Sequence, residues 1–593
     1  MVLRIKRMKI GSDGILALLI IVFATLVRIA LIALGWPHTN ADESTMGIMA
    51  MHILSKGEHP IFFYGQHYMG TLEAYLGAAF FSVFGTSVFA LRLGPVLFFA
   101  LFLANMYLLT SLLYTQKMAL ITLLVLSLGS SIMLDTEVVA LGGYPELLFF
   151  GSLSVLLACW LALSYEHYSS PHKKVWRLLA YLCWGLVGGL GFWSDFLMFG
   201  FILLSGLLLV VFCWKELFTG AAFFLVLGLV IGAFPLIAYN LHAQPGQDTL
   251  AVLRYLHNVG RPQLAQWRMY ETFPFKLQLR GTLLTTLPAA IGGPPFCFDA
   301  YTHFRLSGYV GPETILCAIV PSNVGVSALA LVWSLGFLLL WSISTFQTLR
   351  HLWHLWRLRQ RTPGHSWTTG EKQAIPRDVA RLMLLCSAAL TLFLFVSSPI
   401  SAAYPLDSRY LIGLLISTPA IIAPLWGLTN DFGSPSQQVH SEKSDLSRHI
   451  WVPSAIGKVT GTFGLRRGIL VLLGMLFLLG TMKAFLEIPT VQVYNQQQDA
   501  LVQDLTRMKI TLFYADYWTC DSIVFLSKEH IICSSVGQNR YLPYVALVKA
   551  DPYAAYVFPI GSSQLSSFTT HVAHSARHYQ RFDLDGYVIF RPV

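Results

Sequence analysis

The chain has 593 residues, of which 55% are hydrophobic and 12% charged, with a formal charge of +10 and a positive mean hydropathy. A soluble protein of this length would not stay in solution with that balance, so the sequence is that of an integral membrane protein. Its positive charge lies in short segments between apolar runs, which excludes a nucleic-acid binder and points to the positive-inside rule.

In chain order, apolar runs able to cross about 30 Å of hydrocarbon occur about eleven times. They lie near 14–35, 88–113, 118–134, 146–165, 178–194, 197–214, 219–239, 326–345, 382–398, 410–427 and 468–486. Each is expected to span as a helix, which satisfies its own backbone. The first lacks a small-residue cleavage site and ends in acids, so it reads as a retained helix. The basic segments RIKRMK (4–9), HKKVWR (172–177), RHLWHLWRLRQR (350–361) and LRR (465–467) are assigned to the cytoplasm with the amino terminus. Loops 36–87, 135–145, 241–325 and 397–410 then fall outside. Residues 68–84 read as an amphipathic helix lying along the interface.

The polar stretch TNDFGSPSQQVHSEKSD (429–445) reads as a cytoplasmic loop. Residues 1–486 form the expected transmembrane domain. From 487 to 593 the composition turns mixed, with β-rich runs ITLFY (510–514), HIICSS (530–535) and YVIF (587–590) and a helical stretch at 564–577. This predicts a small α/β extracytoplasmic domain, making the fold class an all-α multispan domain with a C-terminal α/β appendage. Cys159, Cys183, Cys213 and Cys386 fall in spans. Cys297 with Cys317 and Cys520 with Cys533 fall in outer regions as disulfide candidates. No internal repeat, CxxC or His-rich metal spacing occurs.

NADESTMG (40–47) delivers Asp42 and Glu43 to the end of the first span. Either Thr39, Asn40 or Asp42 caps the helix that follows, or a carboxylate here is a base. Further acids gather on the same expected face: Glu73, Asp135, Glu137, Glu146, and Asp195 in GFWSD (191–195). Arg92 and Arg409 begin spans beside that surface. Carboxylates with one or two arginines suit a lipid-linked phosphate and a hydroxyl nucleophile. A GxxxxGK nucleotide loop is absent. Arg28, inside the first span, is expected to snorkel or to pair with an acid such as Asp195. Trp193 and Tyr144 are candidates for stacking on a sugar.

ADES after the first span, FFYGQHYMGTLEAYL (62–76), FALRLGP (89–95), GGYPE (142–146), GLGFWSD (189–195) and DSRYLIGL (407–414) together resemble the GT-C glycosyltransferases. The likeness is to the protein O-mannosyltransferase and lipid A aminoarabinose transferase branch, and YADYW (514–518) and NRY (539–541) look like the outer domain of bacterial relatives. The resemblance implies transfer of a sugar from a polyprenyl-phosphate donor to an acceptor hydroxyl on the outer face, with inversion. It puts the catalytic base on Asp42, with Glu43 an orienting partner, and the second outer-loop acid on Asp135 or Glu146, with GGYPE favouring Glu146. Arg409 and Tyr410 would steady the departing phosphate, with Arg92, Tyr144 and Asp195 lining the substrate cleft. Gln66, Tyr68 and Glu73 stand where relatives carry a His- or Lys-rich motif followed by two prolines, which this chain lacks. They are expected to contact sugar or acceptor.

The resemblance leaves open a divalent cation, Mg or Mn, and an acceptor that is protein, lipid or cell-wall glycan. It places the chain in a bacterial plasma membrane, among membrane lipids and serving the cell envelope. The rival reading is a transporter or flippase of a lipid-linked or sugar substrate, which would carry ionisable residues at the midplane and paired repeats.

Overall fold

The computed structural model describes residues 11–165, 171–259, 275–293, 324–361, 369–398, 405–426, 459–575 and 577–593. The Cys297–Cys317 candidate, the stretch 429–445 and the segment RIKRMK lie outside these residues. Long apolar helices form because their backbones must be satisfied within lipid. They are α1 (Ser12–Ala33), α4 (Val88–Leu113), α7 (Tyr144–Leu163), α8 (Pro171–Ser194), α9 (Phe199–Glu216) and α10 (Ala222–Gly232). Between them stand α2 (Ala41–Lys56), α3 (Leu72–Phe84), α5 (Gln116–Ser127) and α6 (Ser131–Val138). Later come α11 (Val324–Arg361), α12 (Thr369–Val396), a 3-10 segment Pro405–Ser417 leading into α13 (Thr418–Trp426), and α14 (Val459–Leu486).

Nine helical runs among the described residues are long and apolar enough to cross a membrane. The chain is a multi-pass membrane protein. The pair α5 and α6, bent by 90°, makes a tenth pass if taken as one broken span. An eleventh arises because the 37-residue run Phe196–Gly232 doubles back. Along α8, α9 runs antiparallel, with Met198 near Gly191 and Glu216 bonded to Arg177, whereas α10 runs parallel, with Gly228 against Leu182 and Gly232 against Leu186. The reversal falls at Gly220, whose φ of 107° suits glycine. The two runs expected at 197–214 and 219–239 are therefore distinct helices.

Alpha helices α8 and α10 touch backbone to backbone. A Cβ on Gly185, Gly189, Gly228 or Gly232 would lie 2.0–2.4 Å from a carbonyl oxygen of the facing helix. Both helices thus present a Gly-xxx-Gly face, a packing mode that works in lipid because close approach maximises van der Waals contact. The break between α5 and α6 is satisfied by side chains. Arg28 donates to the carbonyl of Ser127 (3.1 Å), and Thr481 exchanges hydrogen bonds with Gly129 N and O (3.2 Å each). Arg28 also binds Glu137 (2.5 Å), both fully buried, so its acid is Glu137 and not Asp195: the break carries α6 back alongside α1.

The 13-residue α3 is too short to span at 1.5 Å per residue and packs on α2 and α4, as its reading as a juxtamembrane helix requires. After α14, α15 (Ile488–Arg507) leads into a five-stranded sheet. Its strands are β1 (Leu512–Ala515), β2 (Ile532–Ser535), β3 (Ala555–Pro559), β4 (Tyr579–Leu584) and β5 (Tyr587–Pro592) in the order β2-β1-β3-β5-β4. Parallel pairing of β2, β1 and β3 needs crossovers, supplied by α16 (Tyr517–Leu526) and α17 (Leu542–Ala550). The expected runs at 510–514, 530–535 and 587–590 become β1, β2 and β5, and the helical stretch becomes α18 (Ser563–His574). Strands β3 and β4 were not expected. The Asp-Gly turn at 585–586, with both φ values positive, is the hairpin signal that announces β4.

This C-terminal unit sits on α2, in the loop that follows α1. Phe525 of α16 lies over Gly47 of α2, where a Cβ would come within 2.5 Å of the ring, and Thr45 donates to Asp521 (2.5 Å). Farther along α2, buried His52 meets Glu529 (2.9 Å) and Tyr544 (3.2 Å). Cys520 and Cys533 are disulfide-bonded, tying α16 to β2.

Candidate active site

Asn40 caps α2, its side chain accepting from Glu43 N at 2.9 Å. That leaves Asp42, in the first turn, without a capping duty. Its Oδ1 accepts from the Tyr517 hydroxyl and from Arg540 Nη2 (3.1 Å). Arg540 Nε also donates to the Tyr517 oxygen (2.9 Å), and with its amide turned to suit the donors, the Gln66 oxygen accepts from Arg540 at 2.7 and 2.9 Å. The Asp42 side chain keeps 22% exposure, and no described residue bonds its Oδ2. Burial alone would push the Asp42 carboxyl up. The charge of Arg540, the Tyr517 hydrogen bond and the charge of Arg409 outweigh it and hold the group below the usual carboxylate range.

Glu43, the neighbouring acid, points elsewhere because successive helical residues diverge by about 100°. It is fully buried, binds Arg92 through two hydrogen bonds (2.7 and 2.6 Å) and accepts from Thr39 (2.8 Å). Arg92 also reaches the Pro37 carbonyl (2.8 Å). Glu43 and Arg92 thus form a buried pair that fixes α2 to α4.

A second group lies at the same end of the bundle. Gly142 and Gly143 both take positive φ, and a Cβ on Gly142 would fall 2.3 Å from Met69 Sδ, so GGYPE is held tight against the first loop. This turn starts α7 with Tyr144, Pro145 and Glu146 in its first turn. Buried Glu73 accepts from Gly142 N (2.8 Å) and faces Glu146 at hydrogen-bonding range. Burial raises the Glu73 carboxyl above the usual range, against its bond from Gly142 N. Asp195 packs over Gly143 and accepts from Leu197 N (2.8 Å), and burial pushes it up to about 7 against that bond and the charge of Arg409.

Arg409 lies 5.6 Å from the Tyr144 ring centre and 5.3 Å from that of Tyr410. Its Nε is buried without a hydrogen-bond partner, and its charge acts on Asp42 and Asp195. A guanidinium with a buried, unpartnered Nε between a carboxylate and two phenols is suited to an anion.

The structure thus brings together Asp42, Gln66, Tyr68, Glu73, Tyr144, Glu146, Asp195, Arg409 and Tyr410, with Tyr68 acting electrostatically on Arg540. Asp135 is buried in α6. Trp193 donates to the Ile61 carbonyl (2.9 Å) and packs on Phe62 and Leu236, and Tyr144 is buried against Tyr410, so neither ring is open to stack on a sugar. Among the described residues no group of three or more His, Cys, Asp or Glu is placed to hold a metal ion. Sequence reasoning missed Tyr517 and Arg540 as members of the site, although YADYW and NRY carry them.

A many-pass bundle with an acid-bearing first loop under a small C-terminal α/β unit is a GT-C-type fold. The chain is similar to the Archaeoglobus fulgidus oligosaccharyltransferase tethered to an acceptor peptide containing the NVT sequon, with TM-score 0.50 and 11% identity over 98% of this chain and 74% of that one. The apo form of that enzyme gives TM-score 0.48 and 12% identity over 92% and 69%. ArnT from Cupriavidus metallidurans in the apo state gives 0.42 and 14% identity over 97% of each chain. At these identities the likeness is one of fold. No family model and no curated protein matches the chain.

Proposed function

We propose that the protein is a membrane glycosyltransferase that moves a sugar from a polyprenyl-phosphate donor to an acceptor hydroxyl, with inversion and with Asp42 as base. The observation that carries this reading is the pairing of one carboxylate oxygen that no described residue bonds, Asp42 Oδ2, with the Arg409 guanidinium, whose Nε is buried without a hydrogen-bond partner and whose charge acts on Asp42. In the reaction the acceptor oxygen bonds to the anomeric carbon and gives its proton to Asp42 while the bond from that carbon to the phosphate oxygen breaks. Arg409 takes the charge that develops on the phosphate. The GT-C-type fold supports a glycosyltransferase in general. A transporter is not favoured, since the acids that meet lie at one end of the bundle.

The test is transfer from a panel of radiolabelled polyprenyl-phosphate sugars to membrane extract by purified wild type and Asp42→Asn of equal thermal stability. Loss of a general base costs about 100-fold or more. Equal transfer by both proteins would remove Asp42 from the chemistry, and no transfer by either with any donor would remove the donor class.

A further inference from the structure

We propose that Tyr517 and Arg540 of the C-terminal domain are positioning residues for Asp42, so that docking of that domain completes the active site. This rests on the reading of Asp42 as the base. Three observations carry it. Both donors converge on one oxygen, Oδ1, leaving Oδ2 as the only acceptor free to face an incoming hydroxyl. Arg540 is itself held by the Tyr517 hydroxyl and by Gln66 of the first loop, so its guanidinium cannot swing away without losing bonds to both. The helix that carries Tyr517 is locked to α2 by the Thr45–Asp521 bond and by Phe525 over Gly47, which fixes the domain against the helix that carries Asp42.

A carboxylate gripped through one oxygen has its other oxygen aimed, and orientation of a reacting group is worth several orders of magnitude in rate. The charged and titratable groups around Asp42 are Arg540, Tyr517 and Asp521 from the C-terminal domain, Arg409 from the segment before α13, and Tyr68 beside Arg540. Removing the Arg540 charge leaves the others in place. Asp42 works as a carboxylate, so kcat/KM falls as pH drops through its pKa. An opposite charge at this range depresses a carboxylate by about one unit or more.

The experiment is the pH profile of kcat/KM for wild type, Arg540→Gln, Arg540→Lys and Tyr517→Phe. The acidic limb of Arg540→Gln should move up by about one pH unit, that of Tyr517→Phe should move the same way by less, and Arg540→Lys should lie nearer wild type. An Arg540→Gln limb coincident with wild type, at whatever rate, overturns the proposal while leaving the base reading intact. Activity retained by Asp42→Asn overturns the base reading instead. A thermal-unfolding cycle in detergent of Asp42→Asn, Arg540→Gln and the double variant needs no donor: non-additive losses support the pairing, and strict additivity overturns it.

Discussion

Asp42 and Glu43 are neighbours with opposite fates, and the difference is rotational. Helical geometry turns Glu43 inward onto Arg92, where both are desolvated, and leaves Asp42 facing the C-terminal domain. Removing one partner of a buried pair strands the other's charge, so Arg92→Met should lower the unfolding free energy by about 3–5 kcal/mol. Thermal melts in detergent measure this, with Asp42→Asn expected to cost far less. Asp195 gives a pH signature. Burial lifts its carboxyl to about 7, so the folded state binds a proton that the unfolded chain releases near pH 4. Its contribution to stability is full below that lower value and is lost as pH rises through about 7. Asp195→Asn keeps an oxygen for Leu197 N and never ionises, so its melting temperature should gain on wild type between pH 4 and 7. An unchanged difference across that window would show that Asp195 is not buried in its charged form. At this scale the sequence supplied the cast, because acids beside spans are visible in it. Which acid met which base was not visible: Arg28 found Glu137, and Arg540 found Asp42 across nearly 500 residues.

Among the elements, the α8–α10 contact depends on having no side chain at the crossing. Gly228→Leu should force the helices apart and lower the melting temperature markedly, whereas Gly474→Leu on α14, where a Cβ meets nothing within 4 Å, should be nearly silent. Equal effects would mean that the close contact does not hold the bundle. Long apolar runs were readable because a bilayer imposes length and composition on each span separately. The break between α5 and α6 was not, since a run of apolar residues at 118–134 looks continuous until Arg28 and Thr481 supply partners for the interrupted backbone. In the sheet, β4 is an edge strand whose alternation is polar, and β3 is interior, paired with β1 and β5. The Asp-Gly turn would have disclosed β4.

For the whole molecule, the main consequence is that the C-terminal domain is joined to the first loop along the length of α2, from Asp42 to His52. The disulfide Cys520–Cys533 braces the helix that makes this contact. Replacing both cysteines by serine should cost about 2–4 kcal/mol and should lower transfer activity more at temperatures where the domain loosens. The positive-inside reading of the loops predicts this domain outside the cytoplasm. A carboxy-terminal reporter that works only there should be active, and an inactive reporter would overturn the orientation and the oxidising compartment together.

By itself the sequence determined the membrane class and the C-terminal α/β unit, because hydropathy and span length act locally along the chain. Only the tertiary structure decided that Asn40 is the cap, that Glu43 and Arg92 pair with each other, that Glu73 meets Glu146, and that Tyr517 and Arg540 reach Asp42. The physical reason is that a charge buried away from water takes its state from whatever packs against it, and packing joins segments whose separation in the chain carries no signal of their contact.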